Sequence, residues 1–156
     1  MIILGIDPGT TRAGYGVVEK KRGGLVYLMS GLLSSPTTPE QGGRLLALER
    51  GLQKIIRTSR PDIAGVEKLY FTKNKKTAVR VAEARGVIVK TLSEEGVSLR
   101  EFSPLSVKLA VTGSGTADKK AVARMVSLIL GIDTSTMLDD ITDALAIAIA
   151  ASSTHL

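Results

Sequence analysis

The chain opens on a short apolar run, Ile2-Ile3-Leu4-Gly5-Ile6, which ends at Asp7 and the turn pair Pro8-Gly9. Such a run bounded by a turn signal predicts a buried strand. Residues 14–20 and 25–33 follow as two more strand patterns, joined by the polar stretch Lys20-Lys21-Arg22-Gly23-Gly24, so a hairpin is expected. Pro36 and Pro39 close this opening set of three antiparallel strands. From Glu40 to Ser59 the period changes: Leu45, Leu48, Leu52, Ile55 and Ile56 recur at helical steps and define one apolar face. Arg60-Pro61-Asp62 stops that helix, and the next strand, 62–67, delivers Glu67. A crossover helix lets this strand lie parallel to the first, which brings the C-terminal ends of the two strands together.

Residues 75–95 carry two apolar stripes on one helix. Val79, Ala82, Gly86 and Val89 form the first, and Val81, Ala84, Ile88 and Leu92 the second. One stripe suffices for a core contact, so the other suits a second subunit, although a central core helix would read the same way. A strand at 98–102, a short helix from Pro104 to about Val111, a helix at 118–130 capped by Thr116 or Asp118, and a final helix from Asp139 to Ser152 complete the chain. The whole reads as one α/β domain over residues 1–156, a mixed sheet of antiparallel then parallel strands flanked by helices.

Three apolar elements abut acids. Asp7 and Glu67 end the first and fourth strands, and Asp139, Asp140 and Asp143 precede or enter the apolar body of the last helix. A carboxylate half drawn into the core needs a cation, a proton or several donors. Each also has an ordinary use: Asp-Pro-Gly is a common turn, Glu67 can be solvated, and Asp139 and Asp140 suit a helix dipole. Asp140 and Asp143, three apart, share one helical face, and Asp143 adjoins the apolar body, which capping explains poorly. If Asp7, Glu67, Asp140 and Asp143 converge, a hard divalent ion is the simplest common partner. In a two-ion site one metal activates water and the other stabilises the leaving oxygen.

Composition narrows the chemistry. The 156 residues include no cysteine, which removes disulfides and thiolate sites, and the single histidine, His155, is the penultimate residue. Imidazole-based catalysis is thereby excluded, and Asp, Glu, Lys and Tyr remain. No run reaches the roughly 18 apolar residues of a membrane span. The first residues do not resemble a signal peptide, so a cytoplasmic protein is expected. A net charge of +6 points to an anionic partner, and of the 21 basic residues only Arg124 lies beyond residue 120. A basic body with a local acidic patch suits a nuclease.

Among the basic residues, Lys119 falls in the first turn of its helix, where free N–H groups attract phosphate, and Lys108 precedes it on a short helix. Either can neutralise a scissile phosphate or stand as a solvated lysine. Tyr70-Phe71, just past Glu67, is followed by Lys73, Lys75 and Lys76, an arrangement able to stack on an unpaired base. One of the two aromatics can equally be core.

Several segments together resemble one family. Ile3-Leu4-Gly5-Ile6-Asp7-Pro8-Gly9 with Gly14-Tyr15-Gly16, Val66-Glu67 with Lys73-Asn74, Ala84-Arg85-Gly86-Val87, Val107-Lys108, and Asp140-Ile141-Thr142-Asp143-Ala144-Leu145-Ala146-Ile147-Ala148 are similar, in order, to the RuvC family of Holliday-junction resolvases. The resemblance implies a ribonuclease H-like fold. It implies a homodimer that nicks two strands of a four-way DNA junction symmetrically with Mg²⁺, two ions per site, for which Mn²⁺ can substitute. It maps the metal-binding acids onto Asp7, Glu67, Asp140 and Asp143, leaving Asp139 outside, and makes Lys108 and Lys119 the functional lysines. Tyr70 falls where family members often carry a base-contacting aromatic, frequently phenylalanine. Phe71, Lys73, Lys75, Lys76 and Arg85 join it as expected DNA contacts, and a branch-migration motor is the implied partner. Two other readings compete: Asp7-Pro8-Gly9-Thr10-Thr11 also resembles the first phosphate turn of actin-like and sugar-kinase nucleotide-binding modules, and a non-catalytic junction-binding subunit would share the same fold.

Overall fold

The structure is a computed structural model that describes residues 1–9, 12–34, 40–68 and 75–153. Tyr70, Phe71 and Lys73 lie outside the described residues, as do the side chains of Lys75 and Lys76. Five strands, β1 (Ile2–Asp7), β2 (Arg12–Lys21), β3 (Gly24–Ser34), β4 (Ile63–Glu67) and β5 (Ser98–Phe102), form one sheet in the order β3-β2-β1-β4-β5. β1, β2 and β3 pair antiparallel; β4 runs parallel to β1, and β5 parallel to β4. This is the mixed sheet expected from the pattern. The 41–59 helix, α1 (Gln41–Ser59), makes the crossover that permits the parallel β1–β4 pair. Asp62 pins the start of that pair: its carboxylate accepts from Ile2 N–H at 2.6 Å, and its own N–H donates to the Ile2 carbonyl at 2.9 Å.

The period-2 alternation of the strands assigns each residue to a sheet face. Leu4, Ile6, Val17, Ala64 and Val66 meet α1 and α2 (Lys75–Glu94), where Leu48, Leu52, Ile56, Ala84, Ile88 and Leu92 complete one core. Ile3, Val18 and Ile63 face the other way, against α3 (Pro104–Thr112), α4 (Lys119–Leu130) and α5 (Asp139–Ser153). Of the two stripes on α2, Ala84, Ile88 and Leu92 are buried, whereas Val79 is 57% exposed and Ala82 and Gly86 are open to solvent.

The α5 face has an unusual floor. Gly5, Gly14, Gly16 and Gly65 lie on three adjacent strands directly beneath α5. A Cβ on Gly5 would fall 2.0 Å from the Ala144 carbonyl oxygen, and one on Gly14 would fall 1.8 Å from that of Asp140. The helix answers with small residues, Ala144, Ala146, Ala148, Ala150 and Ala151, all buried. Glycine and alanine together let the α5 backbone sit almost on the sheet. Helix caps follow local chemistry: Ser103 accepts from Ser106 N–H at 3.0 Å at the start of α3, and Asp118, not Thr116, accepts from Ala121 N–H at 2.7 Å at the start of α4.

Candidate active site

Strand parity decides where the acids point. Asp7 follows Ile3 and Gly5 onto the α5 face, and Glu67 follows Ile63 and Gly65 onto the same face of the neighbouring parallel strand. The close seat of α5 on the glycines then carries its first turns, with Asp140 and Asp143, over these two strand ends. Asp7, Glu67 and Asp143 line a cavity of about 280 Å³ with Lys108 and Lys119, over apolar walls that include Val107, Val122 and Ile147. Lys108 comes from α3, and Lys119 is the first residue of α4.

Electrostatics show how tightly the acids are pressed together. The Asp7 carboxyl is pushed up to about 7, first by burial and then by the charges of Glu67, Asp143 and Asp140. Glu67 is raised by burial and by Asp143. Asp143 is also raised by burial, against the opposing pull of Lys119, which donates to its carboxylate at 3.3 Å. Lys119 is raised in turn, chiefly by the Asp143 charge.

Asp140 is placed differently from the other three. It does not line the cavity; its Oδ2 accepts from the Arg12 Nε–H at 2.7 Å, and its Oδ1 lies over Gly9 in the turn after Asp7. Arg12 escaped the sequence reading. Its signal was the hairpin register: Asp7 pairs with Gly14, so Arg12 emerges just beyond the end of β1, beside whatever covers Gly14. Asp139 is 83% exposed and stands outside, 3.7 Å from Lys119. Arg85 on α2 is ion-paired with Glu101 on β5, with its Nε buried and without a partner among the described residues.

The donor set suits a hard divalent cation. It is all oxygen, mutually repulsive and half-buried, and a cation would relieve the strain that raises Asp7, Glu67 and Asp143. Among the described residues no three acids are already drawn into a ligand cluster; Arg12 holds Asp140, and Lys119 stands between Asp143 and Asp139.

The family model for crossover junction endodeoxyribonuclease RuvC matches residues 3–151. A crossover junction endodeoxyribonuclease RuvC from Chloroflexus aurantiacus is 48% identical over 149 residues, covering 96% of this chain and 91% of that protein. The chain belongs to the RuvC family. RuvC from Petrotoga mobilis is 44% identical over 95% of this chain and 91% of its own. The structure of Thermus thermophilus RuvC in complex with a Holliday junction substrate superposes with a TM-score of 0.90 at 31% identity, over 97% of this chain and 93% of that one. The yeast mitochondrial Holliday junction resolvase shares the fold, with a TM-score of 0.71 at 16% identity over 95% of this chain and 76% of its own. Membership makes this chain a crossover junction endodeoxyribonuclease with a ribonuclease H-like fold. The nucleotide-binding reading of Asp7-Pro8-Gly9 is not favoured beside a RuvC match that spans nearly the whole chain.

Proposed function

We propose that this chain resolves four-way DNA junctions by nicking two strands symmetrically, with Asp7, Glu67, Asp140 and Asp143 holding two divalent ions, Mg²⁺ in the first instance and Mn²⁺ as a substitute. Divalent-metal dependence is general in the RuvC family. The observation that carries the residue assignment is the Asp7 carboxyl, raised to about 7 at the floor of a cavity shared with Glu67, Asp143 and two lysines. Asp7 and Glu67 stand on rigid strand ends and Asp140 and Asp143 on a helix seated on glycine, so the four are held from two directions. When bound, the ions activate water and polarise the phosphodiester. Lys119, bonded to Asp143, and Lys108 line the same cavity, where they would meet the non-bridging phosphate oxygens and offset the charge that builds at phosphorus. Water attacks phosphorus and the 3′ oxygen leaves, so products carry 5′-phosphate and 3′-hydroxyl ends.

Symmetric nicking needs two such sites, and the exposed stripe of α2 at Val79, Ala82 and Gly86 is the surface that supports a homodimer. A basic surface suits the junction arms. Tyr70, Phe71, Lys73, Lys75, Lys76 and Arg85 are the proposed further DNA contacts, and a branch-migration motor is the proposed partner. A cytoplasmic location is part of the proposal; no helix among the described residues is long and apolar enough to cross a membrane. The deciding experiment incubates purified protein with a mobile synthetic four-way junction. Cutting with Mg²⁺ or Mn²⁺, and none with chelator, is the expected result; an uncut junction refutes the proposal. Asp7→Asn is expected to abolish cutting while junction binding persists.

A further inference from the structure

Of the four acids assigned to the site, three line the cavity; the fourth, Asp140, is the one an arginine holds. Arg12 begins β2 just past the Asp7-Pro8-Gly9 turn, with its side chain 45% exposed. Its Nε–H donates to Asp140 Oδ2 at 2.7 Å, a charge-assisted bond at the short end of the range. Asp140 itself is 23% exposed and still adds to the charge that raises Asp7, so it stands close by without joining the cavity. Its Oδ1 lies 3.6 Å from where a Cβ on Gly9 would sit, so Asp140 stands over the turn that follows Asp7.

We propose that Arg12 is a positioning residue for the nuclease site: a latch that competes with a divalent cation for Asp140 and holds that carboxylate out of the ligand set until the cation takes it. The inference rests on the metal-binding reading above. Two features of the geometry support it. The bond is made through Nε rather than through the forked terminal nitrogens, so it is a single contact that a doubly charged ion can outcompete. The pair is also partly solvated, which places its strength in the modest range of exposed ion pairs rather than that of a buried lock. A guanidinium released in this way stands free at the mouth of the site, where a junction phosphate is its natural next partner.

The test is calorimetric titration of Mn²⁺ into DNA-free protein, comparing the wild type with Arg12→Gln, Arg12→Lys, Asp140→Asn and the Arg12→Gln/Asp140→Asn double variant. Removing an exposed pair's competition predicts about two- to fivefold tighter metal binding for Arg12→Gln, the equivalent of roughly 0.5–1 kcal/mol. Arg12→Lys, which keeps a cation, is expected to lie between Arg12→Gln and the wild type. The gain is expected to vanish when Asp140 is already Asn, and circular dichroism checks that every variant is folded. Unchanged or weaker Mn²⁺ binding in folded Arg12→Gln overturns the latch, as does a gain that persists in the double variant. If the wild type binds no Mn²⁺, or binds it as Asp140→Asn does, the metal assignment of Asp140 fails instead, so the two failures are distinguishable.

Discussion

Asp7 holds a proton at a pH where an ordinary aspartate has long lost one. Its folded value, about 7, stands above the 3.8 of an unperturbed side chain, so between these values the metal-free folded state keeps a proton that the unfolded chain has released. Stability is then full below the lower value and declines as pH rises through the upper one. We expect the chelator-treated protein to lose stability between pH 4 and 7, and Asp7→Asn to remove most of that slope. At pH 8 the metal-free variant should melt several degrees above the wild type while cutting nothing; thermal melts in chelator alongside a junction-cleavage assay check both. Divalent-ion binding near pH 6 should release protons, measurable by calorimetry in buffers of different ionisation enthalpy, because capture requires the deprotonated carboxylate. Lys119 belongs to the same set. Lys119→Met is expected to lower the single-turnover cutting rate by about 10²-fold or more, the range for loss of one electrostatic stabiliser, with junction affinity changed far less. The acids were legible because each interrupts an apolar run. Arg12 was not, because nothing along the chain marks it: its meaning comes from a strand register and a helix 128 residues away.

At the scale of elements, the decisive contact is α5 on the sheet. The strands, the α1 crossover and the helix boundaries could be read from periodicity, because each is a local pattern of apolar spacing and caps. The seat of α5 could not. Gly5, Gly14, Gly16 and Gly65 look like scattered glycines in three strand segments until the sheet order places them under one helix. A methyl at Gly14 would overlap the Asp140 carbonyl at 1.8 Å, so Gly14→Ala must lift the N-terminal end of α5. Overpacking of this kind costs about 1–3 kcal/mol, and here the displaced turn carries two of the four acids. We therefore expect Gly14→Ala to lose cutting under conditions in which it remains folded, measured as residual activity set against the melting temperature.

For the whole molecule the open question is the pairing of two copies. Gly86 has nothing within 4 Å of a would-be Cβ and lies on the exposed stripe with Val79. In an isolated subunit an alanine there would stabilise α2 by about 0.5–1 kcal/mol, as for any exposed mid-helix glycine. On a dimer face the same position admits only small groups. Gly86→Arg is thus expected to sediment as a folded monomer and to lose coordinated nicking of paired strands. A variant that still sediments as a dimer would move the interface elsewhere.

The tight seat of α5 also has a kinetic corollary. Residues 144–152 of α5 are all buried, and the helix bridges three central strands. Amide protons there have no local opening through which to exchange, so residues 144–148 should exchange with solvent deuterium only when the whole domain unfolds. The buried body of α5, which anchors the first turns with Asp140 and Asp143, is then as permanent as the fold itself. Adjustment during a catalytic cycle must come from side-chain torsions and the cations around them, and native-state hydrogen exchange with and without DNA should show α5 protection unchanged.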